Sequence, residues 1–203
     1  MKEWELELHL VLNILKKKFE IKIIRVLLLF DKIKFVLANL ITSKTRLRLL
    51  VKFFINSANE GYLRGLANEM HENTNAIRKE LNNLSEAGYI LRVEQDSKVI
   101  YRANKQHPFF SLLQQIVRKH IGLDDIIEAV VSRMGEVQRV FLIGDYAKGI
   151  DSGTIEVVIE GGMIHHHYLE QLKEKKEKEI QKTILFQVTS RFEGDGLLVF
   201  EQV

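Results

Sequence analysis

Apolar residues recur at helical spacing over residues 43–56, where Leu47, Leu50, Val51, Phe54 and Ile55 share one face and Ser43 stands as an N-cap. A turn at 57–61 leads to a second short helix over 62–70, with Leu63, Leu66, Ala67 and Met70 on one side. After the tight connection 71–73, a third helix over 74–87 carries the stripe Ile77, Leu81 and Leu84, and Gly88 is placed to end it. Residues 89–104 then alternate on both sides of Gln95–Ser97, the pattern of a β-hairpin. His107 and Pro108 break the chain before another helix over 109–123, whose stripe of Phe109, Leu112, Leu113, Ile116, Val117 and Ile121 is too broad for one-sided burial. That breadth fits pairing with a second copy together with burial against the next domain.

The third helix presents two faces. Opposite its apolar stripe lie Thr74, Asn75, Arg78, Lys79 and Asn82, types that read base edges or hold phosphates. Lys98 and Arg102, with Arg92, put positive charge on the hairpin. Helix, helix, short turn, helix and basic hairpin is the plan of a winged helix-turn-helix, and Ala67 lets two helices cross closely. The stretch YLRGLANEMHENTNAIRKELNNLSEAGYI, residues 62–90, resembles the ArsR-like and related winged-helix transcriptional regulators of prokaryotes. The resemblance spans about 40–104 and implies double-stranded DNA as partner. The recognition-helix role falls on Thr74, Asn75, Arg78, Lys79 and Asn82, and the wing role on Lys98 and Arg102. Cysteine-based metal sensing, known in that family, does not carry over to a chain with no cysteine.

Charge sharpens the division. Residues 41–105 hold 11 Lys+Arg against 7 Asp+Glu, whereas 106–203 hold 11 against 15, so only the first segment suits a polyanion. The first 40 residues fit neither pattern. GluLeuGluLeuHisLeuValLeu at 5–12 alternates like a strand, and a dense apolar stretch with scattered Lys follows. This segment reads as a dimerisation or membrane-surface element, as an extension outside the fold, or as the product of a start codon assigned too far upstream. No secretory signal pattern and no bilayer-length apolar run is present, which gives the expectation of a cytoplasmic protein without a membrane partner.

Beyond 123 the pattern changes again. A helix over 123–134 precedes an apolar strand (137–143), a Gly-containing turn (144–149), a second strand (154–160), a charged helix (165–181) and a third strand (183–188). This half resembles the minimal nucleotidyltransferase fold, in which a Gly-Ser turn cradles a triphosphate and two alternate Asp residues on the next strand hold Mg²⁺. Gly144 and Gly149 fit the turn and IEVVI fits the strand. The chemistry departs: Asp145 replaces the hydroxyl, Thr154 replaces the first carboxylate, and only Glu156 remains at the second. Strand TILFQV brings no third carboxylate, and Asp151 lies in the loop. A two-metal site needs several hard oxygen ligands together, so neither catalysis nor a metal or other cofactor is expected here. Asp145, Lys148 and Asp151 remain the positions at which the turn would recognise something else. His165, His166 and His167 are consecutive at a helix start and point in different directions, which disfavours one shared ion.

The expected fold class is therefore α+β: an extension (1–40), a winged helix-turn-helix (41–105), a linking or dimerisation helix (106–122) and a small nucleotidyltransferase-like α/β domain (123–203). The expected function is DNA-binding transcriptional regulation by a homodimer, with the second domain sensing an unknown effector or binding a partner. An active nucleotidyltransferase directed to nucleic acid or protein is the alternative, and a pure interaction protein is a third reading.

Overall fold

The computed structural model describes residues 43–95 and 97–202, and those from Lys44 onward belong to one compact unit. The readings of residues 1–40 lie outside the described residues. Helix α1 (Lys44–Phe54), strand β1 (Glu60–Tyr62), helices α2 (Leu63–Glu69) and α3 (Thr74–Glu86), and strands β2 (Ile90–Gln95) and β3 (Lys98–Ala103) follow in order. β3 lies between β1 and β2 in an antiparallel sheet. This order and register are those of a winged helix.

α1 is more buried than its single stripe predicts. Besides Leu50, Val51 and Phe54, its Leu49 and Phe53 are also enclosed, because α1 contacts α3, β3 and the helix that follows β3. α3 buries Ile77, Leu81 and Leu84 as expected. Its start is capped by the Asn73 side chain, which accepts from the Asn75 amide at 2.7 Å. At its end the Tyr89 amide reaches the Leu84 carbonyl and the Gly88 amide reaches that of Ser85, a Schellman closure. Arg46 Nε donates to the enclosed Glu80 carboxylate at 2.7 Å and ties α3 to α1.

Helix α4 (Phe110–Ile121) buries Val117 and Ile121, and Phe110 packs on Phe54 with ring centroids 5.9 Å apart. Gln114 Nε2 donates to the Phe54 carbonyl at 3.2 Å. Leu113 and Ile116 are half-buried, while Phe109 and Leu112 face outward, 54% and 49% exposed.

Helix α5 (Leu123–Arg133), strand β4 (Gly135–Ile143), a short helix α6 (Gly144–Ala147), strand β5 (Thr154–Ile164), helix α7 (His166–Ile180) and strands β6 (Thr183–Thr189) and β7 (Leu197–Glu201) complete the chain. The sheet order is β6-β5-β4-β7, with β5 antiparallel to β4 and parallel to β6, and β7 antiparallel to β4. α7 is the crossover that a parallel pair requires. On one face Val140, Leu142, Ile155, Val157, Ile159 and Ile184 are all fully or almost fully buried. On the other, Arg139 forks onto the buried Glu160 carboxylate at 2.8–3.0 Å, and the Phe192 amide donates to the same group at 2.9 Å. These two partners hold Glu160 below the ordinary carboxylate range, the Phe192 amide most strongly, against the opposing effect of burial.

Four elements differ from the sequence reading. β1 stands where a turn is predicted, because pairing with β3 makes Glu60–Tyr62 a strand. The 144–149 turn contains a helical turn, α6. β7 is an additional strand, and β5 runs through Gly161 and Gly162 to Ile164 alongside irregular register in β4. The winged helix and the second sheet lie within the one compact unit.

Candidate functional site

Two surfaces follow from this architecture. The first is the outer side of α3, where Thr74, Asn75, Arg78, Lys79 and Asn82 are all exposed while Ile77 and Leu81 on the opposite side are sealed. Among them the Arg78 guanidinium makes a single long contact with Asn75 Oδ1, 3.5 Å, so the cations are held loosely. On the wing, Lys98 and Arg102 are exposed on the same face of β3. Lys98 Nζ lies 5.9 Å from the centre of the Tyr62 ring, and Arg102 is 3.7 Å from Glu60 across the β1–β3 ladder. That ion pair is half-exposed and weak, and it leaves Arg102 available.

The second surface is the turn 144–153, which packs against α1. Lys52, enclosed among apolar neighbours, donates from Nζ to Glu69 Oε2 at 2.9 Å and to the Lys148 carbonyl at 3.0 Å. Asn56 Nδ2 reaches the Ala147 carbonyl at 3.2 Å. At Gly149 a Cβ would fall 2.6 Å from the backbone of Lys52, so the two segments are as close as a glycine permits. The turn thus joins the second sheet to the winged helix through its own backbone carbonyls.

Beneath it lies a polar knot. The Tyr146 hydroxyl donates to Asp151 Oδ1, and Lys182 Nζ, just before β6, donates to the hydroxyl oxygen at 2.7 Å and to Asp151 at 2.8 Å. Burial, then the Asp151 carboxylate, pushes the Tyr146 phenol far above its ordinary value, so it stays a donor. Burial also works to raise Asp151, yet the hydrogen bonds from Lys182 and Tyr146 and the Lys182 charge hold it below the usual range. His120, at the end of α4, is pushed down by desolvation and by Lys182, against the pull of Asp151.

The predicted positions of the turn therefore separate. Asp151 is committed within the knot, Lys148 contributes its carbonyl to Lys52, and the Asp145 side chain has no donor among the described residues. Thr154 and Glu156 lie alternately on β5, and Glu156 tucks its carboxylate against Gly144, where any Cβ would overlap it. Among the described residues no three His, Asp or Glu side chains converge on one point, and His165, His166 and His167 are all exposed. Lys52 and Lys182 were not singled out by sequence reasoning. Lys182 sits at the edge of a charged helix, and Lys52 interrupts an apolar face; that interruption is the one available signal.

No family model matches the chain, and no curated protein matches its sequence. Among solved structures it is similar to the AntR antimony-specific transcriptional repressor, at 17% identity over 48% of this chain and 82% of that one, with a TM-score of 0.36. It is also similar to the transcriptional regulator BldR from Sulfolobus solfataricus, at 17% identity over 66% of this chain and 88% of that one, with a TM-score of 0.34. The winged-helix description rests on the helix order and strand register above rather than on these distant similarities. No described helix is long and apolar enough to cross a membrane.

Proposed function

We propose that this protein is a DNA-binding transcriptional regulator in which α3 enters the major groove and the wing holds the flanking backbone. The observation that carries the reading is the split of α3: every side chain assigned to recognition is exposed, and the buried side is fixed by Leu81, Ile77 and the Arg46–Glu80 pair. Asn75 and Asn82 suit adenine edges, Arg78 suits guanine, and Thr74, Lys79, Lys98 and Arg102 suit phosphates. The exposed Leu112 on α4 and Phe109 at its N-cap support a homodimer matched to a two-fold operator.

The second domain is proposed as a nucleotidyltransferase-like scaffold used without catalysis. Its order of helix, strand, short helix, strand, crossover helix and strand supports the scaffold. Asp145 in place of a hydroxyl, Thr154 in place of a carboxylate and Glu156 folded under Gly144 support the loss of metal chemistry. Its turn serves as the mechanical joint to α1.

Selection of genomic fragments by the full chain tests the reading. Bound fragments are expected, with affinity falling steeply with salt, and Arg78→Ala/Lys79→Ala is expected to bind weakly with a reduced salt slope while keeping its circular dichroism. Retention of no fragment at low salt overturns the proposal. Incorporation of labelled ATP that disappears in Glu156→Gln would restore the enzyme.

A further inference from the structure

β6 is the outermost strand of the second sheet, with β5 on one side and, among the described residues, no strand on the other. A bare edge is a template for another strand, and native sheets shorten, charge or distort their edges to prevent such pairing. The other edges of this chain carry these devices. β1 has three residues, β2 carries Arg92 and Glu94, and β7 has a register shift against β4 and ends at Glu201. β6 has none of them: TILFQVT runs for seven residues without a charge, a proline or a glycine, and its Leu185 is 45% exposed.

Hydrogen bonding shows which groups of that edge are open. The Thr183 amide donates inward to the Gly153 carbonyl at 2.9 Å, whereas the Ile184 amide donates to Glu177 Oε1 of α7 at 2.7 Å. Main-chain groups alternate along a strand, so Thr183, Leu185 and Gln187 address β5, while Ile184, Phe186 and Val188 address the outer side. Glu177 takes the first outer donor. Phe186 and Val188 follow, each with an N–H and a C=O at the edge and a half-buried side chain. A two-fold axis at Gln187 makes these two residues complementary to themselves. Phe186 then faces Val188 of a second copy, and each pair exchanges both of its hydrogen bonds. The register centred on Phe186 would set Ile184 against Val188 and compete with Glu177 for the Ile184 amide.

We infer that β6 is a self-association edge, to which a second copy of this chain adds its own β6 antiparallel with Gln187 on the two-fold axis. The contact sets Phe186 against Val188 on the face that holds the apolar core, and Leu185 beside Thr189 on the other. One strand pair is a small interface, so the association is weak and concentration-dependent. It is separate from the α4 pairing and does not depend on the DNA reading; where both contacts form, β6 links one dimer to the next.

Thiol crosslinking of the full chain tests the register, because the sequence has no cysteine of its own. Gln187→Cys and Leu185→Cys, both at exposed positions, are oxidised with copper–phenanthroline at high micromolar protein and run on non-reducing gels. Opposed residues of a non-hydrogen-bonded pair lie about 4.5 Å apart at Cα, within disulfide reach, so Gln187→Cys is expected to crosslink to a dimer. Leu185 stands opposite Thr189 rather than itself, so Leu185→Cys is expected to crosslink at least ~10-fold more slowly. Leu112→Glu, which separates this contact from α4, is expected to sediment as a monomer when dilute and to associate at high micromolar concentration. Adding Gln187→Lys sets like charges on the axis and is expected to remove that association with unchanged circular dichroism. Equal crosslinking of the two thiols gives the edge to some other strand and overturns the inference. So does a Leu112→Glu chain that stays monomeric at high concentration, or an association that survives Gln187→Lys.

Discussion

Replacing Gly149 by Ala tests whether the turn is a joint or merely a loop near α1. Gly149 has φ 74°, where an L side chain costs about 1–2 kcal/mol. A Cβ there would also meet the Lys52 Cα and carbonyl oxygen at 2.6 Å and Asn59 Nδ2 at 2.8 Å, two of the three being backbone. The turn must then back away from α1, loosening the hydrogen bonds from Lys52 to the Lys148 carbonyl and from Asn56 to the Ala147 carbonyl. With the first donor charged, losing both costs roughly 2–4 kcal/mol. Gly153 supplies the control: its φ is 86°, yet nothing lies within 4 Å of its would-be Cβ. Urea unfolding followed by circular dichroism is expected to give a loss of about 1 kcal/mol for Gly153→Ala and about 3–5 kcal/mol for Gly149→Ala. Equal losses for the two variants would show that the close approach to Lys52 contributes nothing.

Leu112→Glu on the exposed face of α4 is expected to convert a dimer to a monomer in sedimentation velocity without loss of helix; a parent chain that already sediments as a monomer refutes the dimer. Lys182→Met leaves the Asp151 carboxylate enclosed without its cation and is expected to cost about 3 kcal/mol in urea. Adding Asp151→Asn should return part of that loss, and a neutral single variant removes the knot from the stability of the fold. Glu160 and Asp151 are both held below their ordinary values, so their contributions are complete above about pH 4 and vanish as pH falls through the depressed folded values. The stability gap between the parent and Glu160→Gln should therefore be widest near pH 7 and close in acid; a gap independent of pH contradicts the Arg139–Glu160 account.

Long periodic segments were legible because burial of one face writes itself into residue spacing, as at Ile77, Leu81 and Leu84. The outward set on α3 was legible for the complementary reason. Short strands were not. Glu60–Tyr62 is too brief to carry a period, and Leu197–Glu201 becomes a strand by lying beside β4. The joint was invisible for a different cause: its acceptors are main-chain carbonyls of Ala147 and Lys148, which every residue possesses. Asp151 drew attention as a carboxylate in a loop, but its partners Tyr146 and Lys182 come together only when β6 docks beside β5.

The parallel placement of β6 has a kinetic consequence. β4 and β5 meet across the short segment 144–153, so their hairpin closes early, whereas β6 must wait for α7 and β7 must return from Glu201 to face Arg139. Lys182 is therefore expected to reach Tyr146 and Asp151 late, so that Lys182→Met hastens unfolding and leaves the refolding rate nearly unchanged; an equal loss in the refolding rate contradicts that order. On that order the lysine is a latch on Tyr146 and Asp151, setting how long the finished turn stays closed rather than how fast it forms.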